Sequence, residues 1–201
     1  MPLPLKAVLF DLDGVLVHSP LDLSAIKQEL FGDPGIFIIE GLQSLPEKER
    51  EKKNALLLER ELEAAESARL APGVVEIFDW MDAHGLKRAV ITRNSRRTVE
   101  LIVENLRVDF GVAIGREDAP PKPDPACVLA ACERLGVAPE ECAMVGDFAF
   151  DIQAGKMAGC RTVFLETDKF RHLETGADAR IKTLSELVEL LETWLADSRP
   201  G

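Results

Sequence analysis

Short apolar runs, each ending in a polar or glycine-containing turn, recur along this chain and alternate with amphipathic stretches. The runs lie at residues 6–10 (KAVLF), 87–92 (KRAVIT), 110–114 (FGVAI), 141–147 (ECAMVGD) and 161–165 (RTVFL). A continuous apolar run of this length reads as a strand buried on both faces, as in a parallel sheet. Helical patterns separate the runs at 73–84, 95–106, 124–135 and 150–158, and another at 184–195 closes the chain. Strand and helix in alternation predict the α/β class, with a Rossmann-like, doubly wound parallel sheet.

One stretch breaks the rhythm. Between Ser19 and Leu70 the sequence turns helical and charged, with a shorter helix expected over 21–31 and a long amphipathic one over 46–70, divided by the GDPG turn at 32–35. Pro46 stands where a helix can begin, and Ala71-Pro72-Gly73 returns the chain to the sheet. The expected organisation is a core of residues 1–18 and 71–201 carrying a small α-helical insertion over 19–70. The apolar face of the long helix is too short for sustained heptads, which disfavours a coiled-coil arm.

At 201 residues, 46% hydrophobic and 29% charged, the chain can bury a core and has room for one domain with an insertion. A formal charge of −11, from 24 basic and 35 acidic residues, disfavours nucleic acid and anionic membrane surfaces as partners. The opening MPLPLKAVLF meets Asp11 too soon for a signal sequence or a membrane span, so a soluble cytoplasmic protein, monomer or homodimer, is expected. Cys127, Cys132, Cys142 and Cys160 form no C-x-x-C pair and sit among apolar neighbours, as buried thiols do.

In an open α/β sheet the ligand site lies at the carboxyl ends of the strands. Four such ends carry chemistry. Asp11-Leu12-Asp13-Gly14 presents two carboxylates from an extended chain, with a glycine for a sharp departure. Thr92-Arg93-Asn94-Ser95 leads a hydroxyl and an amide into a helix N-terminus, where backbone N–H groups receive phosphate. Lys122 stands among prolines in PPKPDP, and Gly146-Asp147 precedes Asp151 by one helical turn. Each alone has an ordinary reading as an acidic turn, a helix cap or a rigid loop. Together, their carboxylates would repel one another without a counter-charge, which implies a hard divalent cation; oxygen-only ligation favours Mg²⁺.

This set resembles the four motifs of the haloacid dehalogenase superfamily, from the DxDG loop to the acidic GDxxxD, over Asp11 to Asp151. The family's DGT is DGV here, and a cap of about fifty residues is shorter than many of its caps. The resemblance implies a phosphatase that hydrolyses a small phosphorylated metabolite. Asp11 would be the nucleophile, forming an aspartyl-phosphate, and Asp13 the general acid and then base. Mg²⁺ would be held by the Asp11 carboxylate, the Asp13 backbone carbonyl and Asp147, with Asp151 orienting a ligand from outside the coordination sphere. Thr92, Arg93, Asn94 and Lys122 would bind the remaining phosphoryl oxygens.

The acid at Asp13 disfavours dehalogenation, whose halide leaves unprotonated. It also disfavours imine chemistry at Lys53, which sits in the solvated run EREKK. A β-phosphoglucomutase-like phosphosugar mutase is the alternative, and a non-catalytic binding module a more remote one. Phe31, Phe37 and Ile38 are read as filling the junction of the cap helices rather than facing a substrate. A short cap points to broad or larger substrates. Arg93 and Arg116 are left between favouring an acidic substrate and pairing with Asp118 or Glu117, and His18 between a lining role and none.

Overall fold

In the computed structural model, which describes residues 3–197, the first apolar run is the centre of the sheet. In chain order the elements are β1 (Ala7–Phe10), β2 (Val17–His18), α1 (Leu23–Phe31), α2 (Ile38–Gln43), α3 (Glu47–Glu66), β3 (Arg69–Leu70), α4 (Val74–Ala83), β4 (Lys87–Ile91), α5 (Arg96–Leu106), β5 (Val112–Ile114), α6 (Ala126–Leu135), β6 (Cys142–Gly146), α7 (Ala149–Ala158), β7 (Arg161–Leu165), β8 (Ala179–Ile181) and α8 (Leu184–Asp197). Six strands form one sheet in the order β5-β4-β1-β6-β7-β8, every neighbouring pair parallel.

All four residues of β1 are buried because the sheet is covered on both faces. Val8 and Phe10 face one layer, with Ile77 and Phe78 of α4, Val99 and Ile102 of α5 and Leu187 and Leu191 of α8. Ala7 and Leu9 face the other, with Val128 and Ala131 of α6 and Ala154 of α7. This period-2 division under a continuous apolar run is what a doubly covered parallel strand requires. The four cysteines are free and buried, and Cys132 and Cys142 approach at 3.6 Å between sulfurs. Among the described residues no helix is long and apolar enough to cross a membrane.

The helical insertion has its own small core of Ile26, Leu30, Ile38, Leu42 and Leu57. Its chain leaves and returns through a two-stranded antiparallel ribbon that pairs Val17 with Leu70 and His18 with Arg69. That ribbon corrects the expected long helix, which stops at Glu66 because the last residues before the sheet are drawn into β3. The shorter helix begins at Leu23, where the Asp22 carboxylate accepts the Ser24 and Ala25 N–H groups, 3.0 Å each. Helix α2 and strand β8 are additions to the sequence reading.

The insertion is tied to the sheet layer by one buried acid. Glu61 of α3, 3% exposed, accepts the Ser95 N–H at 3.2 Å, the Thr98 hydroxyl at 3.0 Å and the guanidinium of Arg116. Its carboxylate therefore sits at the N-terminus of α5, where the helix dipole favours negative charge. Removing one member of such a buried pair leaves the other charge uncompensated, at a cost of about 3–5 kcal/mol. Glu61→Ala is expected to lower Tm by about 6–20 °C, and Glu61→Gln by less. Thermal unfolding followed by circular dichroism checks this, and a change below ~2 °C for the alanine variant would reject the tie.

Candidate active site

Register brings the motif residues to one edge. Phe10 is aligned with Val90 of β4 and Val145 of β6, so Asp11, Thr92 and Asp147 emerge within two residues of the same level. The Asp11 N–H continues the ladder to the Val145 carbonyl at 2.9 Å, and the Thr92 N–H to Ile114 at 2.9 Å. Because the chain runs from β1 out to β5 and returns on the other side through β6, this edge is also the topological switch point.

After Asp11 the chain turns tightly, with the Leu16 and Val17 N–H groups on the Leu12 carbonyl and the Gly14 N–H on Val17, each at 2.9 Å. Gly14 has φ +83°, and a Cβ there would lie 2.4 Å from Oδ2 of Asp147, so only glycine serves. The turn returns Ser19 to Asp13, whose two carboxylate oxygens accept the Ser19 hydroxyl at 2.9 Å and the Asn94 side-chain amide at 2.6 Å. Burial raises the Asp13 carboxyl above the usual range, with these two hydrogen bonds opposing.

Lys122 is 2% exposed and its ammonium has three acceptors: Asp11 at 2.7 Å, Asp151 at 2.6 Å and the Ile91 carbonyl at 2.6 Å. An ammonium has three protons, so this environment satisfies it fully. Burial alone would lower its pKa, yet Asp11 and Asp151 raise it. Burial also raises Asp11 well above the carboxylate range, with Lys122 opposing and Asp151 and Asp147 adding. Asp147 is pushed up to about 7 by burial and then by Asp151.

Carboxylate oxygens of Asp11, Asp147 and Asp151 all lie within 4.8 Å of one another. Asp151 is already engaged, by Lys122 and by the Phe148 N–H at 3.0 Å. An all-oxygen donor set, more acids than bases, and a glycine whose missing Cβ leaves room beside Asp147 together fit a hard divalent cation. Asp13, expected among the metal ligands, is not part of this cluster and turns its carboxylate to Ser19 and Asn94, whereas Asp151, expected outside the coordination sphere, is.

The expected phosphate ligands are brought together with differing freedom. Thr92 is buried, and its hydroxyl accepts the Asn94 N–H at 3.1 Å. The Asn94 side chain is committed to Asp13. The Arg93 guanidinium pairs with Glu40 of α2 at 2.6 Å, donates to the Lys122 carbonyl and lies 5.1 Å from the Phe150 ring centroid. Arg116 pairs with Glu61 and, at 3.6 Å, with Glu117. Lys53 pairs with Glu49 on its own helix. His18, Phe37 and Ile38 line a cavity beside this edge; Ile38 also packs in the core of the insertion, as a junction residue should, whereas Phe37 lies outside that core, which corrects its reading as junction filler. Ser19, Glu40 and Thr167, whose hydroxyl is 3.5 Å from Asp147, carry no sequence signal of their own.

A haloacid dehalogenase-like hydrolase family model matches residues 25–159. The chain is 30% identical over 207 residues to a haloacid dehalogenase-like hydrolase domain-containing protein of Arabidopsis thaliana, covering 94% of this chain and 84% of that one. It is 31% identical over 222 residues to a phosphoglycolate phosphatase of Chromobacterium violaceum, covering 94% and 97%. A crystal structure of a hydrolase from Pseudomonas syringae superposes with a TM-score of 0.76 at 21% identity, over 94% and 98% of the two chains.

The raised value of Asp147 has a signed consequence. An acid whose folded pKa exceeds its unfolded one, near 3.9, binds its proton more tightly in the fold, so stability is lost as pH rises from about 4 through about 7. In metal-free protein, Asp147→Asn should leave Tm unchanged near pH 4 and raise it at pH 8, by about 2–4 °C for each ~1 kcal/mol regained. Melting curves across that range check it; an equal shift at both ends would be inconsistent with the proton linkage.

Proposed function

The chain belongs to the haloacid dehalogenase-like hydrolases, on their phosphatase branch, and from that premise we propose that it is a Mg²⁺-dependent phosphomonoesterase working through an aspartyl-phosphate on Asp11. The observation that carries this reading is the pairing of Asp11 and Asp13 at the sheet edge in different company. Asp11 has Lys122 beside it, and Asp13 has two neutral donors.

The Asp11 carboxylate attacks phosphorus in line with the departing oxygen; the P–O bond to the alcohol breaks as the new one forms. Asp13, whose hold on its proton burial strengthens, gives that proton to the leaving alkoxide. Now ionised, Asp13 takes a proton from water, which attacks the same phosphorus, frees Asp11 and yields inorganic phosphate. Ser19 and Asn94 hold Asp13 in the rotamer that both transfers use. Thr92 and Lys122 serve the remaining phosphoryl oxygens, Lys122 by exchanging one of its three acceptors for phosphate. Held by Asp11, Asp147 and the Asp13 carbonyl, a bound divalent cation would offset the charge of carboxylates and phosphate together. Asp151 holds Lys122 and the start of α7 in place. The insertion acts as the cap, closing over this edge and touching the leaving group.

The test is phosphate release from a panel that begins with 2-phosphoglycolate, with Mg²⁺ and with chelator. We expect metal-dependent release that falls about 10³-fold or more in Asp11→Asn, a substitution that keeps shape and removes the nucleophile. Release unaffected by Asp11→Asn would sink the covalent mechanism. Interconversion of phosphosugars without net phosphate release would favour a mutase.

A further inference from the structure

We propose that the phosphate ester taken by this site carries an aromatic ring on its alcohol, and that Phe37, Phe148, Phe150 and Phe170 form the wall on which the ring lies. The inference rests on the phosphatase reading above and adds the class of leaving group.

The chain has nine phenylalanines, two tryptophans and no tyrosine, and four of those phenylalanines line a single cavity. That cavity, of about 560 Å³, also holds Asp11, Asp13, Lys122 and Asp147. Three separate segments supply the rings: Phe37 ahead of α2, Phe148 and Phe150 at the start of α7, and Phe170 beyond β7. Centroids run in a chain, 4.9 Å from Phe37 to Phe150, 5.0 Å from Phe150 to Phe148 and 4.9 Å from Phe148 to Phe170. None of the four belongs to the three apolar clusters that stabilise the sheet layers and the insertion. Packing of the core therefore does not account for them.

Phe37 is 44% exposed beside the cavity, so its ring offers free surface there. A flat ring laid against the wall would cover it. The volume falls within the ~300–1,000 Å³ typical of sites for ring-containing ligands, and a two-carbon alcohol would leave most of it to water. Lys27 at 5.2 Å from the Phe37 centroid and Lys169 at 5.0 Å from that of Phe170 flank the wall on long, displaceable stems. Stacking on an aromatic side chain is sequence-tolerant among planar rings, so the wall selects flatness rather than one heterocycle.

The experiment compares kcat/KM for adenosine 5′-monophosphate, uridine 5′-monophosphate and pyridoxal 5′-phosphate with that for ribose 5-phosphate and 2-phosphoglycolate. The nucleotides and ribose 5-phosphate share the same primary ester, so their ratio reports the ring and not the chemistry. Stacking contributes roughly 5- to 150-fold per ring, and we expect at least one ring-bearing ester to exceed ribose 5-phosphate by ~10-fold or more. Phe37→Leu should reduce that ratio by about 5-fold or more, and Phe37→Trp should restore it. Which arm responds separates nucleotide from pyridoxal sources. Turnover of 2-phosphoglycolate or ribose 5-phosphate at or above the level of every ring-bearing ester would overturn this proposal and leave the phosphatase reading standing. Equal loss on all esters in Phe37→Leu would overturn it too. No turnover of any ester would overturn both.

Discussion

One buried ammonium fastens the working edge of this protein. Lys122 reaches Asp11 beyond β1, Asp151 on α7 and the carbonyl of Ile91 at the end of β4, so a single side chain joins the ends of elements that the sheet merely sets side by side. Burial would push a proton off that nitrogen, and the two carboxylates keep it there. Two carboxylates around one ammonium already leave the edge one negative charge in excess. Asp147 adds to that excess, which a divalent cation held among the carboxylates would offset.

The insertion meets this edge through two ionic ties of unequal strength. Glu61 with Arg116 is buried, at 3% and 12% exposure, and adds bonds to the N-terminus of α5, so it resists separation. Arg93 with Glu40 has its acid 46% exposed, a setting in which an ion pair contributes about 0–1 kcal/mol. Parting the α2 side of the insertion from the core therefore costs less than lifting α3. The residues on that cheaper side, Phe37 and Ile38, are also those that border the cavity.

The sheet was legible in the sequence because burial on two faces writes itself as uninterrupted apolar runs, and KAVLF, KRAVIT and ECAMVGD all became strands of the expected sheet. The acidic motifs were legible because each follows such a run. Two-residue strands leave no such trace: Val17–His18 and Arg69–Leu70 are defined by each other, across the whole insertion. The same holds for Ser19 and Asn94 on Asp13, since the latter bond joins residues 81 apart in the chain. Of the two arginines left open between a substrate and Asp118 or Glu117, Arg116 does pair with Glu117, whereas Arg93 pairs outside those alternatives. Its partner, Glu40, comes from α2, an element without a visible pattern.

Asp11 and Asp13 are the same residue type two positions apart, and only their surroundings distinguish them. Burial lifts both. At Asp11 the lift is increased by the like charges of Asp151 and Asp147, whereas at Asp13 hydrogen bonds from Ser19 and Asn94 oppose it, with Lys122 at a distance. Positive charge introduced among Asp11, Asp147 and Asp151 relieves repulsion that Asp11 feels directly, and so favours its ionised, nucleophilic form. Asp13 is held up by desolvation, which covering the site with the proposed cap would deepen rather than relieve. On the proposed mechanism, loading of the site would thus drive the two carboxyls apart, one toward the anion and the other toward the acid, the division of labour that phosphoryl transfer followed by hydrolysis requires.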